Sequence, residues 1–246
     1  FALGVMSEDE VLLEHCQRAN LPTDHPDYLD LHSNIAVRAF KLNCPPTKEG
    51  LKSINKAHLR VAAKSIIYGK NYGRSIESMY NQIKNAGIDI TMEDVEQISS
   101  NINETYPKAY AQLDELREIP YTQGWQANYF GRIRRFIKTD DAAIMAAQCR
   151  ESMNFPFQSI VADVLILLLF KLLFSKRRNE LGYRILLPWH DAVLLEVPKE
   201  NAEYVAKEFV PRLISNIKFR PWNTKGECKS NKEYSFSSDS KITGKE

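Results

Sequence analysis

Arg60, Lys64, Tyr68 and Tyr72 recur at four-residue spacing in Arg60-Val-Ala-Ala-Lys64-Ser-Ile-Ile-Tyr68-Gly-Lys-Asn-Tyr72-Gly73. In an α-helix each step of four drifts by only about 40°, so these side chains share one face. Ala62, Ala63 and Ile66 fall on the opposite side, small and apolar enough to pack on a core. A guanidinium and an ammonium one turn apart suit a polyphosphate, the first as a planar fork and the second as a mobile charge. An aromatic ring one turn further can carry a base or a sugar. The spacing predicts a helix that reads a nucleoside triphosphate. The plainer reading is a solvated basic face, which Tyr68, Tyr72 and Gly73 in register disfavour.

Further groups with chemical potential lie later in the chain. Trp189-His190-Asp191-Ala192 falls between two apolar runs, Tyr183 to Trp189 and Val193 to Val197, and so belongs at a hairpin tip. A rigid turn there can present Asp191 as a metal ligand facing a cleft, or hold it in an ordinary Asx turn. Arg150, Asn154 and Gln158 again recur every four residues. On an exposed helix face they suit the acceptors of a nucleic-acid minor groove; buried, they would need partners.

Taken together these segments resemble the DNA polymerases of family A, the DNA polymerase I and phage replicase group. The Arg60–Gly73 stretch is similar at every position to that family's nucleotide-binding helix, motif B, written Arg-x3-Lys-x3-aromatic-x3-Tyr-Gly. His190-Asp191 resembles motif C, His-Asp-Glu at a hairpin tip, with Ala192 in place of the usual Glu. The Arg150, Asn154, Gln158 trio with Pro156, Asp30-Leu-His32, Tyr106-Pro107 and Gly131-Arg132-Ile-Arg134-Arg135 are similar to further family segments. The likeness runs from residue 1 to about the helix expected at 202–217, and is weaker in the tail.

The resemblance implies template-directed addition of deoxynucleotides to a primer 3′ end by a two-metal mechanism. By it, Arg60, Lys64 and His32 hold the dNTP triphosphate, Lys64 also protonates the leaving pyrophosphate, and Tyr68 packs on the incoming sugar and base. Tyr72, Gly73, Arg150, Asn154, Gln158 and His190 would contact template or primer. Asp191 would be catalytic, as a ligand of two Mg²⁺ ions. Tyr68 rather than Phe implies ready acceptance of dideoxynucleotides.

The elements that must position these groups can be read from the same sequence. With 246 residues, 43% of them hydrophobic, the chain can bury a substantial core. A net charge of +2 neither demands nor excludes a nucleic-acid partner, since a local basic cleft would suffice. Cys16, Cys44, Cys149 and Cys228 are scattered without metal-ligand spacing, which, with no secretory signal at the start, leads us to expect a reduced, cytoplasmic setting. Val164 to Phe174 is apolar but too short to span a bilayer, so a buried helix and no membrane are expected.

Helix starts are expected at Ser7–Glu10, at Asp30–Ser33 and at Thr91, where a capping box opens a long helix broken near Tyr106-Pro107 and resumed to about Glu118. Cys44–Gly50 reads as a turn-rich linker and 124–137 as a β-hairpin. Residues 140–178 read as a long helix that Pro156 should bend or break. An amphipathic helix is expected over 202–217, then a Lys- and Ser-rich tail with disordered last residues.

The expected fold is α/β of the α+β kind. The resemblance implies right-hand architecture, with a palm segment at 1–24, mainly helical fingers at 25–138 and a palm with a small antiparallel sheet at 139–246. The family's other essential Asp, in motif A, has no counterpart among these residues. A second polypeptide, or an N-terminal part of a longer chain, would supply motif A, the thumb and any exonuclease domain. Primer-template DNA and dNTP are the other partners implied. Two alternatives stand: a fragment of a single-subunit RNA polymerase, and a non-catalytic DNA- or nucleotide-binding subunit.

Overall fold

Side-chain caps set the first helix starts in the computed structural model. The short α1 (Ala2–Ser7) leads to α2 (Glu10–Ala19), where Asp9 accepts from the Leu12 amide at 3.0 Å. Asp30 opens α3 (Leu31–Ala39) by accepting from the Ser33 amide at 2.8 Å. Thr47 opens α4 (Lys48–Ser53), which corrects the expected linker. Its Gly50 lies so close to the Pro45 carbonyl that a side chain has no room, so glycine fits inside this short helix where a larger residue would clash.

The motif-bearing segment forms α5 (Ala57–Asn71), followed by α6 (Ile76–Asn85), α7 (Met92–Thr105) and α8 (Pro107–Glu118). The capping box at Thr91 forms with Asp94, and the break at Tyr106-Pro107 falls where the sequence puts it. Leu59, Ala62, Ala63, Ile66 and Gly69 form the buried side of α5, which packs on α3, α6 and α7. At Gly69 a Cβ would come 2.5 Å from Met79 Sδ, so α6 approaches closely only because no side chain is there.

The expected hairpin pairs β1 (Trp125–Ala127) with β2 (Ile133–Arg135). After it α9 (Ala142–Leu173) runs unbroken through Pro156. Of the bend or break expected at Pro156, the break does not occur: proline removes one backbone hydrogen bond, but packing on both sides of it holds the helix. Met153 and Ile160 are buried, and Ser152 Oγ donates to the Leu116 carbonyl at 2.6 Å.

The structure describes residues 1–243, and the chain forms two compact units, Phe1–Trp125 with Arg135–Asn154 and Gln126–Arg134 with Phe155 onward. The second holds α10 (Arg178–Leu181) and an antiparallel pair, β3 (Arg184–Trp189) and β4 (Ala192–Glu196). Next come α11 (Ala202–Tyr204), a π-helical stretch Val205–Phe209 and α12 (Val210–Ser215), the amphipathic helix in three pieces. Its core gathers Val164, Leu168 and Leu172 of α9 with Tyr183, Phe209 and Ile214.

The other side of α9 corrects the expectation of a buried helix. Ile166, Leu167, Phe170 and Leu173 are exposed, as is Phe174 just beyond the helix end, by 74%. Helix α9 is thus long and apolar enough to cross a membrane by composition, yet one side of it is core of this unit. The Lys- and Ser-rich tail is more ordered than its composition suggests, because Phe219 and Trp222 are fully buried and bridge to Tyr234 and Cys228. The last residues, 244–246, lie outside the described residues.

Candidate functional site

In the first unit α5 turns a half-buried Arg60, an exposed Lys64 and a 51% exposed Tyr68 to the same side. The Arg60 guanidinium meets Asp30 through Nε, at 3.2 and 3.0 Å from the two carboxylate oxygens, and through Nη2 at 2.7 Å. Burial pushes the Asp30 carboxyl up, but the Arg60 hydrogen bonds and the Ser33 amide outweigh it and hold the pKa below the usual value. Arg60 is raised in turn, first by that hydrogen bond.

His32, in the first turn of α3, brings its ring to 6.3 Å from the Tyr68 ring at an interplanar angle of 30°. Burial lowers its pKa below 6.5; Asp30 opposes this, while Arg60 and Lys64 add to it. Lys64 Nζ stands 5.9 Å from the centre of the Tyr68 ring. The structure therefore brings His32, Arg60, Lys64 and Tyr68 together as a cationic and aromatic ridge, bracketed by the first turn of α3. Asp30, which the sequence offers as a helix cap and within the family-like Asp30-Leu-His32 segment, joins the ridge through Arg60; a partner thirty positions away leaves no local pattern to read.

The ridge ends at Tyr72, 46% exposed, and at Gly73, whose φ of 70° is left-handed. A Cβ on Gly73 would sit 3.0 Å from Met153 Sδ and 3.3 Å from Arg150 Cγ, so the turn after α5 lies directly against the start of the Arg150 trio. Arg150 is exposed, and the Asn154 side-chain amide donates to the Arg150 carbonyl at 2.7 Å, fixing its amide along α9. Gln158 is exposed and belongs to the second unit.

In that second unit His190 and Asp191 form the two-residue turn between paired Trp189 and Ala192. His190 has φ 55°, the left-handed backbone that such tight hairpin turns require. Asp191 is exposed, has no ion pair to any described residue, and is among the residues lining a cavity of about 730 Å³ with Leu194, Val164 and Phe236. A free carboxylate on a rigid turn is a good ligand for a hard cation. By itself it is insufficient: among the described residues no three His, Cys, Asp or Glu side chains gather to hold a metal. Ala192 adds no carboxylate.

Around the first hairpin, Asn128 and Arg132 both bond Asp163, the amide at 2.6 Å and the guanidinium at 3.0 Å. Of the basic residues in Gly131–Arg135, Arg132 is thus tied to a carboxylate on α9.

Residues 2–224 match the family model for DNA polymerase family A. The chain belongs to that family. It is 32% identical over 152 residues to the thermostable DNA polymerase I of Thermus aquaticus, covering 61% of this chain and 17% of that protein. With DNA polymerase I of Caldicellulosiruptor bescii it shares 27% over 216 residues, 87% of this chain and 23% of the relative. With the DNA polymerase of Escherichia phage T5 it shares 29% over 161 residues, 60% and 18% respectively. The chain thus spans about a fifth of the length of these polymerases. In fold it is similar to the POL domain of Pol1 from M. smegmatis, solved in complex with DNA primer-template and dNTP. The TM-score is 0.67 at 24% identity, covering 87% of this chain and 34% of that one. The mixed helix and small-sheet fold expected from the sequence is therefore that of a family A polymerase portion.

Proposed function

We propose that this family A chain is the dNTP-gripping and primer-end portion of a DNA-directed DNA polymerase. The observation that carries this reading is the α5 ridge, where Arg60, Lys64 and Tyr68 stand on one accessible face beside His32. In this reading 25–138 are fingers, 1–24 and 139–246 palm. Arg60 and His32 would donate to triphosphate oxygens, and Lys64 would hold the triphosphate and give a proton to the departing pyrophosphate. Tyr68 would lie on the sugar and base. Tyr72 and Gly73 would border the templating base, and Arg150, Asn154, Gln158 and His190 would hold the primer and template strands.

Asp191 would supply one carboxylate for a pair of Mg²⁺ ions, which when bound would stabilise the charge that develops in nucleotidyl transfer. The remaining carboxylates would come from outside these 246 residues, on a second polypeptide or another stretch of a longer chain. One observation favours a completing body: Ile166 and Phe170 on α9, Phe174 just after it, and Leu186, Trp189 and Leu194 on the β3–β4 hairpin are exposed apolar groups.

Nucleotide binding tests the reading. With Mg²⁺ and dATP as probe, Arg60→Ala should raise Kd about tenfold through loss of charge-assisted hydrogen bonds. Lys64→Ala should act similarly, and competition by the matching rNTP should be weaker than by dNTP. Calorimetric binding unchanged in both variants would discard the ridge as a triphosphate site.

His32 gives the reading a pH signature. Its pKa in the free protein is lowered, so the ring is neutral at pH 7. A bound polyanion would push that pKa up, and the state with the higher pKa gains affinity as protons are added. Triphosphate affinity should therefore rise as pH falls through 7 toward 6 and level off only below the free value. The expected gain is about fivefold, equivalent to about 1 kcal/mol of extra attraction for the charged ring. His32→Gln should flatten this part of the profile, leaving only the titration of the nucleotide.

A further inference from the structure

Arg60 carries five N–H groups, and the Asp30 carboxylate engages only those on Nε and one on Nη2. The outer edge, both hydrogens of Nη1 and the second of Nη2, has no partner among the described residues. That edge is the one able to take a phosphate by two parallel bonds. Asp30 itself is 8% exposed and fixed at its other end, because Oδ1 also accepts from the Ser33 amide at the start of α3. A long, otherwise mobile guanidinium is thus clamped from one side by a carboxylate that a helix cap holds in place.

We infer that Asp30 is a positioning residue for the nucleotide: it holds the Arg60 guanidinium on the α5 ridge with its Nη1–Nη2 edge open to a triphosphate. This rests on the nucleotide reading of the ridge. Two properties support it over a plain fold-stabilising pair. The pair lies at the triphosphate end of the ridge and not in the apolar core, with the Arg60 side chain still 27% exposed. His32, from the same first turn of α3, meets Tyr68 two turns further along α5, so one capped turn sets both Arg60 and Tyr68. The orientation is prepared before nucleotide arrives, and its ordering cost falls on folding instead of on binding.

The test uses the full chain with Mg²⁺ and dATP. Asp30→Asn keeps an oxygen able to cap α3 but loses the charge that clamps Arg60. It should raise Kd about three- to tenfold, the range expected for releasing one rotamer-rich side chain. Its melting temperature should stay close to that of the wild type. Asp30→Ser, a second residue able to cap, should behave in the same way. In an Arg60→Ala background Asp30→Asn should add nothing. Asp30→Asn binding as well as or better than wild type, while Arg60→Ala binds poorly, overturns the inference and leaves the ridge intact; tighter binding would mark Asp30 as a brake on Arg60. An Asp30→Asn loss of equal size with Arg60 absent also overturns it, since Asp30 would then act through the fold. No effect of Arg60→Ala, or no binding by the wild-type chain, sinks the nucleotide reading itself.

Discussion

Replacing Asp191 with Asn should cost the completed polymerase about a thousandfold or more in primer extension, a loss of several kcal/mol of transition-state charge stabilisation. The amide keeps the size and nearly the shape of the carboxylate, so the two-residue turn and the register Trp189↔Ala192 should survive. The exposure of Asp191 argues the same way, because a side chain without an ion pair contributes little to stability. The expected pattern is a protein with unaltered melting and unaltered primer-template affinity that does not turn over. Single-turnover extension measured with radiolabelled primer reads this directly, in the proposed complete assembly, whether a second polypeptide or a longer chain supplies the other carboxylates. Extension retained within tenfold would remove Asp191 from the metal centre and favour a non-catalytic DNA- or nucleotide-binding role for this chain. Ala192→Glu is the informative companion: if the missing carboxylate matters, extension rises.

How much of this is readable in the sequence depends on how local each signal is. The α5 ridge is legible because Arg60, Lys64, Tyr68 and Tyr72 repeat with the helix period and the small residues between them repeat on the other side. The hairpin is legible because two apolar runs close on a short polar turn, and a two-residue turn fixes register. Caps at Asp30 and Thr91 are equally local. What escapes the sequence is tertiary. Pro156 leaves α9 unbroken because neighbours bury Met153 and Ile160 on either side of it. Gly50 reads as a turn residue until the Pro45 carbonyl above it is seen. Trp222 anchors a tail that composition assigns to solvent. The pairing of Asp30 with Arg60 joins two helices, and no periodicity within either one announces it. The apolar outer side of α9 escapes for a related reason: a run apolar all round looks buried, and only the fold distinguishes the side covered within this unit from the side left open.

Tyr68 carries the second large effect. Its ring is 51% exposed on the ridge, flanked by His32 and Lys64, and its hydroxyl has no partner among the described residues. A phenol oxygen free beside the incoming sugar can offer a hydrogen bond where a dideoxynucleotide lacks its 3′ hydroxyl. The wild-type enzyme should therefore use ddNTP nearly as well as dNTP. Tyr68→Phe keeps the ring, its stacking and the cation–π contact but deletes the only polar atom. In a dry site, a nucleotide deprived of a hydrogen bond that its competitor makes is rejected strongly, so discrimination against ddNTP should grow about a hundredfold or more. Because the change leaves the ring in place, kcat/KM for dNTP should move by less than about threefold, within the worth of one neutral hydrogen bond. The ratio of the two specificity constants, measured on one template with matched primer, isolates the hydroxyl from any general loss of activity. Equal ddNTP use by the two proteins would mean that the Tyr68 oxygen faces away from the sugar. The ring would then serve the base alone, and the orientation of the nucleotide along α5 would have to be reversed or rotated.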